Sequence, residues 1–187
     1  MRKIIVSNVV SLDGFFEGVH QEIDWFTVDE SFFEYARQLL NEADTILFGR
    51  VTYEMMAAFW PNAIDEDAVI THKMNHLSKI VFSTTLKKVE WNNAKLVKGN
   101  LSKEVKNLKE QPGKDIVIFG SGTLVNQLTQ LGLIDEYRMI VNPLILGKGN
   151  PMFKGMDEKI NLKLLDTKVL KSGVVILYYK IKRLQKS

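Results

Sequence analysis

The order in which strand-like and helix-like segments follow one another limits this chain more than any other feature. Short apolar runs alternate with amphipathic ones until about residue 140, and then strand-like runs follow each other directly. "KIIVSNVV" opens as a β-rich run. "DESFFEYARQLLNEA" puts Phe32, Tyr35, Ala36, Leu39, Leu40 and Ala43 on one helical face, with Asp29 or Ser31 able to cap its start. "DTILFG" is a strand ending in glycine, and "TYEMMAAFW" a short helix stopped by Pro61. "DEDAVITHKMNHLS" reads as a helix whose acidic start suits the positive end of its dipole. "KIVFST" is a strand, and "LSKEVKNLKEQPG" an amphipathic helix ended by Pro-Gly. "DIVIFG" and "TLVNQLTQLG" repeat strand then helix. "IDEYRMIVNPLIL" is a strand, and "LKLLDTKVL-KSG-VVILYYKI" two strands around a glycine turn. Runs such as "TILF" and "IVIF" are apolar throughout, as in strands buried on both faces. The expectation is one α/β domain over residues 1–187. It is a three-layer sandwich with a mostly parallel sheet and a C-terminal antiparallel hairpin.

Composition narrows what such a sandwich can do. The chain has no cysteine, which excludes disulfides, thiolate metal sites and cysteine nucleophiles. Its formal charge of +3 is too weak to argue for nucleic acid, which would want a concentrated basic face, so no nucleic-acid partner is expected. No run of about 18 apolar residues exists, so no membrane span is expected. The start lacks a secretory-signal pattern, which makes the cytoplasm the expected compartment. The basic tail "YKIKRLQKS" is expected to be a solvated terminus. His72 and His76 share a helical face at i and i+4, but there is no HExxH glutamate and no evident third ligand. No metal is expected. A GxSxG elbow is also missing, which leaves hydrolase chemistry without support.

In open α/β sheets, ligands bind beyond the carboxyl ends of the strands. Three ends carry similar chemistry here. "FGRVTYE" offers Gly49, Arg50 and Thr52. "FSTTLKK" offers Ser83 and Thr84, followed by Lys87 and Lys88. "FGSGTL" offers Gly120, Ser121, Gly122, Thr123 and Leu124. Glycine lets backbone N–H groups approach a phosphate, and the helix that follows aims unpaired N–H groups at it. Arginine adds a planar fork of donors. Each motif is also an ordinary turn or cap when it stands alone. "FSTTLKK" has no acid for a ribose 2′-hydroxyl and would accept a 2′-phosphate, so NADPH is expected over NADH.

These motifs, together with "VVSLDGFFEG", "IFGSGTLVNQLTQLGLIDEYRMIVNPLILGKGNPMF" and the closing hairpin, resemble the dihydrofolate-reductase-like superfamily. The similarity is closest to the C-terminal reductase domain of the bifunctional riboflavin-biosynthesis deaminase–reductase. It implies an eight-stranded sheet, NADPH as hydride donor and often a homodimer. It also implies that Gly49, Arg50 and Thr52 surround the cofactor phosphates, and that Ser83 and Thr84 meet the 2′-phosphate. Gly120 to Leu124 would hold the pyrophosphate, and the backbone of Val9 would lie near the nicotinamide. The implied reaction is reduction of a ribosylaminopyrimidine to its ribityl form. A folate or pterin substrate is one alternative, and a non-catalytic NADPH-binding protein is another. No deaminase half with a His/Cys zinc signature is present.

On the substrate side, "IDWFTVDESFF" makes Glu30 the counterpart of the folate-type acid after Trp25, without the proline of that pattern. Asp13 in "SLDG" is a second candidate acid. Both also suit structural roles, Glu30 as a first-turn helix acid and Asp13 as a turn residue. Trp25, Tyr53 and Trp60 are candidates to line a flat pocket, although aromatics at such spacings equally build cores. "NPLILGKGNPMF" is a glycine loop; by the resemblance it lies near the sheet edge and dimer contact.

Overall fold

In the computed structural model, which describes residues 1–64 and 66–182, ten strands and five α-helices follow one another. In chain order they are β1 (Ile4–Ser11), β2 (Phe15–Glu17), α1 (Glu30–Glu42), β3 (Ala43–Gly49), α2 (Arg50–Phe59), α3 (Ala68–His76), β4 (Ser78–Phe82), β5 (Ala94–Val97), α4 (Leu101–Glu110), β6 (Asp115–Ile118), α5 (Gly122–Gln130), β7 (Glu136–Asn142), β8 (Asn150–Pro151), β9 (Leu162–Val169) and β10 (Val175–Ile181). Asp65 and the end of the basic tail lie outside the described residues.

Eight strands form one sheet in the order β5-β4-β3-β6-β1-β7-β10-β9. β5 through β7 run parallel, while β10 pairs antiparallel with both β7 and β9. The expected α/β sandwich with a C-terminal antiparallel hairpin is therefore the fold. Apolar side chains alternate between the two faces and build two cores. One gathers Ile5, Ile46, Phe48 and Val117 with Tyr35, Leu39 and Leu40 of α1 and Ile70 and Met74 of α3. The other gathers Ile4, Val6, Leu47 and Ile116 with Val105 of α4 and Leu124, Val125 and Leu128 of α5. Strands sandwiched in this way need continuous apolar runs, which is why "TILF" and "IVIF" were legible.

Local chemistry moves some boundaries. α2 starts at Arg50, two residues before "TYEMMAAFW", because Gly49 is the last extended residue. It ends at Phe59, and Pro61 sits in a 3₁₀ turn spanning Trp60–Asn62. α3 starts at Ala68, once the Asp67 carboxylate has accepted the N–H groups of Val69 and Ile70. Two features were not anticipated. β5 is a four-residue edge strand. β2 and β8 pair antiparallel into a small separate ribbon, a strap over the carboxyl end of the main sheet.

Candidate functional site

The carboxyl ends of β3, β4, β5 and β6 border one cleft of about 570 Å³. Its walls include Gly49, Arg50, Val51 and Thr52 from the β3 end, and Ser83, Thr84 and Thr85 from the β4 end. Ser121 to Leu124 come from the start of α5. The three motifs quoted above are thus brought together, as parallel strands in one sheet require.

Helix capping sets this cleft apart from the rest of the surface. α1, α3 and α4 are closed by the side chains of Asp29, Asp67 and Asn100, each accepting first-turn N–H groups. The N-caps of α2 and α5, Gly49 and Ser121, make no side-chain capping bond. Ser121 directs its hydroxyl elsewhere, accepting from the Gly49 N–H at 3.1 Å, and its own N–H donates to the Thr52 hydroxyl at 2.8 Å. These bonds tie the β3 and β6 ends to each other. They also leave two helix N-termini facing the cleft, which is an arrangement suited to an anion. Gly120 and Ser121 both adopt left-handed backbone, with φ of 56° and 50°. Gly120 needs its lack of a side chain, since a Cβ there would come within 3.0 Å of the Thr52 methyl.

Charge agrees with capping. Arg50, Lys98 and Lys154 line the cleft, against a single carboxylate, Glu17. Arg50 rests on Glu54 at 2.8 Å, in an exposed i,i+4 pair of the weak kind that a phosphate can displace. Glu17 is held by the Asn150 amide at 2.8 Å. At the β4 end, the Ser83 hydroxyl accepts the N–H groups of Thr85 (3.2 Å) and Leu86 (3.0 Å), which fixes the turn.

Several predicted residues stand elsewhere. Val9 and Gly120 do not line the cleft: Val9 packs into the α1-side core, and the Gly120 carbonyl accepts from the Asn8 amide at 2.8 Å. Tyr53 is 5% exposed, and its hydroxyl accepts the N–H groups of Glu90 and Trp91. It staples α2 to the segment before β5 and is not a pocket wall. Trp60 lies at the far end of α2, edge-on to Phe59, with its ring N–H on the Met56 sulfur. Trp25 is half-buried in the loop before α1, edge-on to Phe26. Neither tryptophan borders the cleft.

The two candidate acids are engaged structurally. Glu30 is exposed on the first turn of α1 and pairs with Arg37, which also bonds Asp67 of the α3 cap at 2.6 Å. Asp13 accepts the N–H groups of Leu146 (3.0 Å) and Gly147 (2.8 Å), clamping the glycine loop after β7 to the exit of β1. The Ser11 hydroxyl and these two N–H groups lower its carboxyl to about 2, so it stays ionised and is unsuited to donate a proton near neutrality. No cluster of three or more metal-ligating side chains occurs among the described residues, and none of their helices is long and apolar enough to cross a membrane.

Sequence reasoning missed the β5 end, where Val97, Lys98, Gly99 and Leu101 line the cleft. "KLVKGN" carried a usable signal: a short β run, a glycine and a capping Asn100 before a helix. It also missed the strap. Phe16 and Glu17 of β2 and Asn150 of β8 form a cleft wall, and the Phe16 ring rests on Gly122, where a Cβ would meet it at 2.8 Å.

Comparison with known proteins places this geometry. The uncharacterized protein YyaP of Bacillus subtilis (strain 168) is 37% identical over 180 residues, covering 95% of this chain and 94% of that protein. A solved structure from Shewanella sp. PV-4, named for riboflavin biosynthesis, has a TM-score of 0.77 at 23% identity and covers 97% and 99% of the two chains. The Thermotoga maritima diaminohydroxyphosphoribosylaminopyrimidine deaminase/5-amino-6-(5-phosphoribosylamino)uracil reductase gives 0.68 at 14% identity; the match covers 97% of this chain and 57% of that one. The RibD C-terminal domain profile matches residues 2–176, and the chain belongs to that family.

Proposed function

We propose that this protein is an NADPH-dependent reductase, transferring hydride to a C=N or C=O carbon of a small heterocycle in a reaction of the riboflavin-pathway type. The observation that carries this reading is the pair of uncapped helix N-termini, α2 and α5, opening into one cleft lined by three cations and one carboxylate. The cleft fits a long polyanionic cofactor. The first N–H groups of α2 and α5, with Arg50, would hold its pyrophosphate. Ser83, Thr84 and Lys98 would receive a 2′-phosphate at the other end, where no acid lines the cleft. Phe16 would keep water off the phosphate loop. The cofactor supplies the hydride; the protein supplies position and dryness.

The partners of Glu30 and Asp13 bear on substrate choice. Glu30, tied to Arg37, does not present a folate-type acid, which favours the ribosylaminopyrimidine class over folate or pterin. With Asp13 ionised and clamped, the proton falls to water. The reading assigns the work to the cytoplasm.

Fluorescence titration with NADPH and NADH tests it. NADPH is expected to bind in the micromolar range and NADH at least about tenfold more weakly. Equal affinities would remove the 2′-phosphate assignment. Binding of neither below millimolar concentration would remove the reductase assignment. NADPH binding without turnover of ribosylaminopyrimidine, folate or pterin substrates would leave a cofactor-binding protein without the reaction.

A further inference from the structure

β1 and β6 begin side by side and then part. Their pairing sets Ile4, Ile5 and Val6 against Ile116, Val117 and Ile118 and stops there, whereas β1 stays on β7 through Ser11. Carried on in the same register, the ladder would set Asn8 beside Gly120. The Asn8 side chain takes the place of that ladder. It is buried on the α5 face of the sheet, between Val6 and Val10. Its amide nitrogen donates to the Gly120 carbonyl at 2.8 Å and rests on the Met152 sulfur at 3.0 Å. Both neighbours are acceptors, so the amide must present its NH2 end to them. Its oxygen is buried without a partner among the described residues, which is costly for a polar atom. The donor end alone suits an asparagine to this position.

The Gly120 carbonyl belongs to the same peptide group as the Ser121 N–H, which donates to the Thr52 hydroxyl at 2.8 Å. One peptide plane is therefore gripped at both ends, from β1 and from α2. Ser121 gives that plane a reason to turn over, since it carries a side chain and yet holds φ at 50°. A half-turn of the peptide would carry Ser121 into the extended region, and Gly120 would tolerate the matching change in its ψ. Thr52 does not choose between the two orientations, because a hydroxyl donates as readily as it accepts. Asn8 does choose. Its NH2 meets a carbonyl in the observed orientation and would meet an N–H in the other. Offering its oxygen instead would set that oxygen against the Met152 sulfur.

The orientation matters because Ser121 opens α5. Its carbonyl accepts the Val125 N–H at 3.0 Å, and the free first-turn N–H groups after it belong to Gly122, Thr123 and Leu124, which line the cleft. We infer that Asn8 is a positioning residue for the cofactor: by holding the Gly120 carbonyl, it keeps this peptide in the orientation that aims the α5 N-terminus at the pyrophosphate. The inference rests on the cofactor reading above. Asn8 does not line the cleft, so it acts through Gly120 and makes no contact with the cofactor.

Asn8→Leu keeps the bulk and removes the donor. Fluorescence titration is expected to show NADPH and NADH weakened together, each at least about tenfold, because both carry the pyrophosphate. Adenosine 2′-monophosphate has the 2′-phosphate but no pyrophosphate, and calorimetry is expected to find it bound equally by variant and wild type. A variant loosened throughout would lose both kinds of ligand, so matching losses overturn the inference. Undiminished NADPH binding overturns it too. The Ser121 amide reports the grip with no cofactor present. Its hydrogen exchange is expected to quicken at least about tenfold in Asn8→Leu, and unchanged exchange sinks the inference. A wild type that binds neither nucleotide removes the cofactor reading and this role with it, while quickened Ser121 exchange would still mark Asn8 as the holder of the peptide. Asn8→Ala, which leaves space instead of filling it, repeats every measurement if Asn8→Leu does not fold.

Discussion

Single residues in this protein are often claimed by the scaffold before chemistry can use them. Asp13 is the clearest case. Its folded carboxyl titrates at about 2, below its ordinary 3.8, because the ionised form accepts hydrogen bonds. The contribution to holding the β7 exit loop is therefore complete above pH 3.8 and lost as the pH falls toward 2. Amide exchange should show this directly. Intrinsic-rate-corrected protection of the Leu146 and Gly147 N–H groups is expected to be flat from neutrality to about pH 4 and to drop below it. Asp13→Asn, with a single acceptor oxygen, should weaken protection at every pH and erase that window. Unchanged protection in the variant would contradict the clamp. Lys79 shows the same priority of scaffold over chemistry. It is fully buried on β4, donates to the carbonyls of Asn75, Leu77 and Asn92, and lies 4.4 Å from the Trp91 ring. Burial lowers its ammonium group to about 8, yet its bonds are structural.

At the scale of elements, the decisive contrast is between helices that are capped and helices that are not. Gly120 is where this can be perturbed. Gly120→Ala forces a side chain into left-handed backbone, costing about 1–2 kcal/mol, and pushes on Thr52, which holds the Ser121 N–H. Gly132→Ala has a similar φ, 64°, and open space around it. Urea unfolding should therefore show a larger loss for Gly120→Ala than for Gly132→Ala, and NADPH affinity should fall only in the former. Equal losses with affinity retained would mean the β6 turn does not shape the cleft. The strand ends were legible because short apolar runs stop abruptly at Gly49, Ser83 and Gly120, and that punctuation is local. β5 was not, because "AKLV" is short and interrupted by Lys95. The strap was not, because Phe15 meets Pro151 only through the tertiary fold. Tyr53 was misassigned for a related reason. Spacing puts it on α2 beside the cleft motif, but only packing reveals that its hydroxyl faces Glu90 and Trp91. Glu30 likewise depends on Arg37 and on a cap from a different helix.

For the whole molecule, the sheet order matters more than any single contact. β1 comes first of the strands but lies inside the eight-stranded sheet, between β6 and β7. Its partners arrive on the order of a hundred residues later, since Ile4 aligns with Ile116 and Ile5 with Glu136. A chain ended after Lys114 keeps α1 to α4 but lacks β6 and β7. It is expected to give no cooperative urea transition by circular dichroism, and a sigmoidal transition with a native-like slope would show that the first part folds alone. The same arrangement bears on biosynthesis. On the ribosome, "IIVSNVV" must wait as an exposed apolar strand until well over half the protein has emerged. Through that interval, nascent chains are most exposed to one another and most dependent on chaperones.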